Sequence, residues 1–120
     1  MKNKMIAYLT DNKTSMEESA GDDLLISLLE QHVGIDLIPW EKETDWTQYD
    51  LVMIRTTWDY MPKTKKYLEL LTNISKVTRL INPLETVKWN INKKYLLKLK
   101  ELGFPIIPTT LCDQITNKNI

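Results

Sequence analysis

The chain has 120 residues, 42% of them hydrophobic and 27% charged, with sixteen Lys/Arg balanced by sixteen Asp/Glu. That length suits one core with at most the start of another, the composition excludes a disordered chain, and zero net charge argues against a generic nucleic-acid binder. A single cysteine, Cys112, excludes a disulfide scaffold and a cysteine metal site.

Met5 to Thr10 is a short apolar run fit for a buried first strand, followed by the polar, loop-forming stretch DNKTSMEESAGDD. From Asp22 to Val33 the apolar residues Leu24, Leu25, Leu28, Leu29 and His32/Val33 recur at the spacing of one helix face. Asp22 and Asp23 sit in its first turn, where the dipole favours carboxylates, and Gly34 is placed to cap its end. Ile35 to Pro39 reads as a second strand, so the opening is the strand-helix-strand crossover of a parallel sheet. After the loop WEKETDWTQYD, Leu51-Val52-Met53-Ile54 is an unbroken run suited to a central strand covered on both faces. Lys65 to Ile74 predicts a second helix with Tyr67, Leu68, Leu70, Leu71 and Ile74 inward. Arg79 to Asn82 predicts a fourth strand, stopped by Pro83. A third helix is expected to start after Asn92, to bury Tyr95, Leu96, Leu99 and Leu102, and to stop at Gly103. Pro105 to Thr109 is a short extended piece bounded by prolines. This alternation predicts an α/β fold with an open, mainly parallel sheet flanked by helices.

In such sheets ligands gather beyond the carboxyl ends of the strands, at Thr10-Asp11, Arg55-Thr56-Thr57-Trp58-Asp59-Tyr60 and Asn82-Pro83 here. The RTTWDY stretch combines a guanidinium fork, two hydroxyls, an acid and two aromatics. Two readings stay open for it: a substrate-binding rim, or an Arg55–Asp59 pair with aromatic padding. The three glycines, Gly21, Gly34 and Gly103, cannot supply a Rossmann or Walker A phosphate loop. His32, at a predicted helix end, suits a surface role, and Cys112 has no neighbour in sequence to activate it. Lys93 and Lys94 open a helix whose free amides favour an anion, so they either clamp a phosphate or extend into water. Charge is also divided along the chain: residues 1–60 hold five Lys/Arg against twelve Asp/Glu, and residues 61–120 eleven against four. The halves either attract each other or leave the second facing an anion.

The run from Tyr49 to Thr109, "YDLVMIRTTWDY" followed by "LINPLETVKWNINKKYLLKLKELGFPIIPT", resembles the amino-terminal region of ATP-grasp ligases. It is similar to the glutathione-synthetase-like branch that includes the O-ureidoserine cyclo-ligase of cycloserine biosynthesis and ribosomal-protein glutamate ligases. Asn82-Pro83, Asn92-Lys93 and Gly103-Phe104-Pro105-Ile106-Ile107-Pro108-Thr109 stand in the order of that family's signals. The resemblance implies a Rossmann-like pre-ATP-grasp domain over residues 1–88 and the beginning of an ATP-grasp domain over residues 89–120. It implies that Lys93 reaches ATP phosphate, that Arg55, Thr57 and Asp59 line the substrate end, and that magnesium accompanies ATP in the full-length family. The implied partners are a carboxylate or amino-acid-like substrate and a complementary ATP-grasp chain. The likeness covers about the first third of such an enzyme, and the family's second nucleotide lysine and metal ligands have no counterpart here. We therefore expect a fragment or truncated form, with no catalytic residue or metal ligand of its own and no ligation by this chain alone. The alternative is a stand-alone α/β module that binds a small anion or a protein. No apolar run approaches the roughly 18 residues of a membrane span, so a cytoplasmic chain without membrane or nucleic-acid partners is expected.

Overall fold

A computed structural model describes residues 3–12 and 22–112. Most of the loop expected after the first strand, and the last eight residues, lie outside the described residues. The chain divides into two compact units, Met1–Leu84 and Glu85–Ile120.

The first unit is a four-stranded, all-parallel sheet in the order β2-β1-β3-β4. β1 (Met5–Thr10) and β3 (Leu51–Thr56) are central, whereas β2 (Gly34–Pro39) and β4 (Arg79–Ile81) form the edges. The central position explains the sequence of β1: with neighbours on both sides and cover on both faces, Ile6, Ala7, Tyr8 and Leu9 are all buried. α1 (Asp22–Leu29) joins β1 to β2, and α2 (Thr64–Val77) joins β3 to β4. The first crossover moves one way along the sheet and the second the other way, so right-handed connections put the two helices on opposite faces.

α2 buries Tyr67, Leu71 and Ile74 as its apolar spacing predicts, and runs three residues beyond Ile74. It follows a 3-10 turn over Trp58–Lys63 that Pro62 interrupts. A second 3-10 turn, Trp46–Gln48, is held by the Asp45 carboxylate, which accepts from Thr47 N at 3.1 Å. Neither turn has an apolar period from which it could be anticipated. Thr78 Oγ1 donates to Tyr49 O at 2.8 Å, tying the end of α2 to the approach to β3.

α1 departs from its predicted form. It stops at Leu29, His32 falls in the turn that follows, and Gly34 opens β2 instead of capping the helix. Its buried residues are Asp22 and Ile26, one turn apart on one face, while Leu24 and Leu28 are exposed. The cause is electrostatic and is described below. At Gly34 an added Cβ would come within 2.2 Å of Met5 Sδ, its register partner's side chain, which accounts for a glycine at that close approach.

α3 (Leu84–Asn90), absent from the sequence expectation, begins at the last residue of the first unit and lies otherwise in the second, which also contains α4 (Tyr95–Glu101). α4 starts three residues after Asn92, whose Oδ1 instead accepts from Lys94 N at 3.0 Å to make a turn before the helix. Gly103, at φ +88°, ends α4 in a Schellman motif: Gly103 N donates to Lys100 O and Phe104 N to Leu99 O, both at 3.0 Å. The stripe expected to be buried on this helix is not. Tyr95, Leu96 and Leu99 are half-buried, Leu102 is 62% exposed, and no described residue of the unit is fully buried. Residues 104–112 form no strand.

Leu71 is fully enclosed at the centre of the buried face of α2. Leu71→Ala should lower stability by about 2–5 kcal/mol, the usual cost of a large-to-small change in a closed core, measured by urea unfolding. The exposed Leu24→Ala should change it by less than about 0.5 kcal/mol.

Candidate functional site

The strand order reverses between β1 and β3: the chain leaves β1 toward β2 and leaves β3 toward β4. At such a switch the connections diverge and open a crevice at the carboxyl ends of the two strands, the usual ligand position in open parallel sheets. The rim here is made by Thr10 and Asp11 on one side and by Arg55, Thr56 and Thr57 on the other, bridged by Asp11 N donating to Thr56 O at 2.7 Å. The ladder is irregular at this point. Leu9 pairs with Ile54 but Thr10 pairs with Thr56, leaving Arg55 as an extra residue. A bulge in a parallel pair is uncommon, and bulges re-aim the side chains they carry.

The Arg55 side chain reaches Asp22 at the start of α1, with Nη2 donating to Asp22 Oδ1 at 2.6 Å. Tyr8 of β1 donates its hydroxyl to the other oxygen, Asp22 Oδ2. The Asp22 side chain is only 9% exposed, while that of Arg55 is 43% exposed. Desolvation alone would raise the Asp22 carboxyl, but hydrogen bonds from Tyr8 and Arg55 and the guanidinium charge outweigh it and hold the group below its usual range. The Tyr8 phenol is pushed up to about 12, first by burial and then by its bond to the Asp22 carboxylate. The Arg55 guanidinium is held more firmly charged, chiefly by its bond to Asp22. At neutral pH the trio is a neutral phenol, a carboxylate and a cation.

The remaining residues of RTTWDY turn to the α2 side. Thr57 is buried, and its hydroxyl lies 2.8 Å from that of Tyr67 on α2. Asp59 Oδ1 accepts from Trp40 Nε1 at 2.7 Å. The Tyr67 ring lies between Trp40, met edge-on at 5.2 Å, and Tyr60, stacked at 4.9 Å. Burial raises the Tyr67 phenol. Lys63 closes this side with a 2.6 Å ion pair to Glu41. Trp58 and Met61 stand exposed on the turn above β3. The Arg55–Asp59 pair open in the sequence is therefore not made, because the bulge and the alternation of the chain send the two side chains to different partners. Asp22, Tyr8, Trp40 and Tyr67 were missed as members of this rim. The available signal for Tyr8 was a hydroxyl inside an otherwise apolar run.

Lys93 belongs to the second unit, is exposed, and carries its Nζ 5.6 Å from the centre of the Tyr95 ring. His32 and Cys112 are also exposed. Among the described residues no group of three or more His, Cys, Asp or Glu is placed to hold a metal ion, and no helix is long and apolar enough to cross a membrane. A cavity of about 550 Å³ lies along the outer edge of β2, lined by Asp36, Leu37, Lys42, Asp45 and Tyr49 among others, away from Arg55.

The family described as D-cycloserine synthetase DcsG, N-terminal domain, matches residues 6–82. The cycloserine biosynthesis protein DcsG of Streptomyces lavendulae is 38% identical over 82 residues, which cover 66% of this chain and 27% of that protein. The crystal structure of D-cycloserine synthetase DcsG superposes with a TM-score of 0.77 at 30% identity, over 88% of this chain and 36% of that one. The chain thus spans roughly a quarter to a third of the length of these relatives.

The depressed Asp22 pKa has a signed consequence. Its contribution to stability is complete above the unfolded carboxyl value of about 3.9 and is lost as pH falls through the lower folded value. Asp22→Asn should therefore flatten the acid limb of the stability profile, read as the difference between urea midpoints at pH 7 and pH 3. Arg55→Met, which strands a buried carboxylate, should cost about 1–3 kcal/mol at pH 7.

Proposed function

The chain belongs to the family of D-cycloserine synthetase N-terminal domains, and on that footing we propose that it is the substrate-side portion of an ATP-dependent carboxylate-amine ligase of the ATP-grasp type. The observation that carries the reading is the family match over residues 6–82, which spans nearly all of the sheet unit. Two features support it further. Arg55 stands at the rim of the topological switch, and Asn82-Pro83, Asn92-Lys93 and Gly103 to Thr109 follow in the order of ATP-grasp ligases. In this reading residues 1–88 are the pre-ATP-grasp domain and residues 89–120 begin the ATP-grasp domain. The setting is the cytoplasm, and the product class is that of the named relatives, a cycloserine-like cyclic amide.

The ligation would run in two displacements. A substrate carboxylate attacks the γ-phosphorus of ATP and ADP leaves; an amine then attacks the acyl carbon, and phosphate leaves as the nitrogen loses its proton. The contribution of this chain is to hold the substrate with Arg55, Thr57 and Asp59 and to meet a phosphate with Lys93. Arg55 has donors to give. Thr57 is occupied by Tyr67, and Asp59 keeps one oxygen beyond its bond to Trp40, so their part is to shape the rim. ATP fits the described residues only in part: Lys93 is an exposed cation suited to phosphate, but there is no acidic cluster for magnesium. Most of the nucleotide site and the metal ligands are assigned to the portion of the relatives beyond the match, and this chain alone is not expected to ligate.

The test is a chimera in which residues 1–120 replace the corresponding amino-terminal part of the Streptomyces lavendulae relative, the stretch equivalent to Lys93 included. ATP-dependent formation of that relative's product supports the reading. A folded chimera that binds Mg-ATP yet makes neither ADP nor product overturns it. In the same chimera Lys93→Ala should weaken ATP binding about tenfold, near 1.4 kcal/mol, by calorimetry. Unchanged binding moves the phosphate contact to another residue.

A further inference from the structure

We propose that Arg55, oriented by Asp22 and Tyr8, is a fork for one planar carboxylate of the substrate, and that Asp22 makes this fork selective for a carboxylate over a phosphate. The inference rests on the ligase reading, which makes the crevice between β1 and β3 the substrate side, and deepens it by naming the group received there.

The argument starts from the bulge. A regular ladder would give Arg55 a partner position on β1; the irregularity after Leu9 leaves it out of register at the mouth of the switch. There its guanidinium uses Nη2 on Asp22 Oδ1 at 2.6 Å and also interacts with the Tyr8 hydroxyl. Guanidinium has five donors in a plane, so donors remain on a side chain that is 43% exposed. Asp22 cannot take the ligand's place as a second site. One of its oxygens is occupied by Arg55 and the other by Tyr8, and its side chain is 9% exposed. Its role is to hold, which makes it a positioning residue.

The charge arrangement sets the ligand class. A lone surface arginine attracts any anion, and a dianion more than a monoanion. Here the Asp22 carboxylate lies against the same guanidinium, so cation and anion cancel locally. A phosphate dianion would be repelled by Asp22 and gain little from net charge. Both anions can take two parallel N–H···O bonds from the fork, so that term survives the cancellation for either, and the singly charged carboxylate is preferred because it meets about half the repulsion from Asp22 that a dianion meets. A purely structural pair would serve equally well with any anion or none, and so the two readings separate on ligand selectivity.

The experiment follows the Arg55 Nε–Hε signal in the 120-residue chain by NMR, with acetate, glycine and inorganic phosphate titrated at constant ionic strength and pH 7.5. The expected result is a saturable shift with acetate and glycine and a dissociation constant at least about tenfold weaker for phosphate, a gap of about 1.4 kcal/mol. Arg55→Lys, which keeps the charge and loses the fork, should abolish the carboxylate response, read on the neighbouring Thr56 and Thr57 amides. Asp22→Asn should raise phosphate affinity to within about threefold of acetate, since the cation is no longer balanced. Should Asp22→Asn fail to fold, Tyr8→Phe removes the hydroxyl that holds both Asp22 and Arg55 and should weaken acetate binding about two- to tenfold. An Arg55 signal that ignores both carboxylates, equal affinity for phosphate in the unmodified chain, or an Arg55→Lys variant that binds as before would each overturn the proposal. No nucleotide enters these titrations. A silent chimera with intact carboxylate selectivity would remove the ligase reading alone, and an active chimera with an unresponsive Arg55 would remove the fork alone.

Discussion

The first unit is organised around a buried carboxylate. Placing Asp22 at the start of α1, against the sheet, costs several kcal/mol unless its charge is met and its oxygens are bonded. Both conditions are satisfied by residues far apart in sequence: the Tyr8 hydroxyl on one oxygen and the Arg55 guanidinium on the other. The interaction therefore joins α1, β1 and β3 at a single point. It also decides the rotation of α1. With Asp22 inward, Ile26 follows it one turn later and becomes the apolar contact of the helix, while Leu24 and Leu28 are left outside. The face of α1 turned to the sheet is thus the one that carries the paired carboxylate, and the apolar count of the sequence does not single it out.

The topology places this packing device at the mouth of the sheet's switch point. Only one point of a 2-1-3-4 parallel sheet has connections leaving in opposite directions, and the trio lies at the ends of the two strands that flank it. The bulge that frees Arg55 from the ladder is part of the same arrangement. On the opposite face a second network, built from Trp40, Asp59, Tyr67, Tyr60 and Thr57, fixes the turn after β3. The rim is thus stiff on the α2 side and carries a free-edged cation on the α1 side.

Much of this was legible from the residues alone, for identifiable reasons. β1 announces itself as an apolar run because it is buried on both faces, the other three strands as short apolar runs between polar stretches, and α2 shows its buried face at the spacing of 3.6 residues. The emergence of Arg55 at the carboxyl end of β3 also follows, since it comes directly after the apolar run of a central strand. What could not be read are the features that depend on contacts across the fold. No local pattern separates Asp22, which is buried, from Asp23, which is exposed. The extra residue in β3 is a matter of register between two strands, and register is invisible in either strand by itself. The two 3-10 turns have no period, and the helix over Leu84–Asn90 was hidden behind Pro83, read as the end of one element and not as the entry to the next.

The stretch RTTWDY illustrates the limit of arguing a site from composition. Three groups with ligand chemistry stand within five residues, and proximity in sequence suggests that they act together. A strand followed by a tight turn distributes them instead. Arg55 goes to a carboxylate below the α1 face, Thr57 to a tyrosine of α2, and Asp59 to an indole from the loop after β2. Two of the three thus spend hydrogen bonds on holding the rim, and the backbone that bears Arg55 is fixed by them. The division of labour follows from the chain's geometry: the residue that leaves the ladder stands at the mouth of the switch, and the residues that follow secure its position.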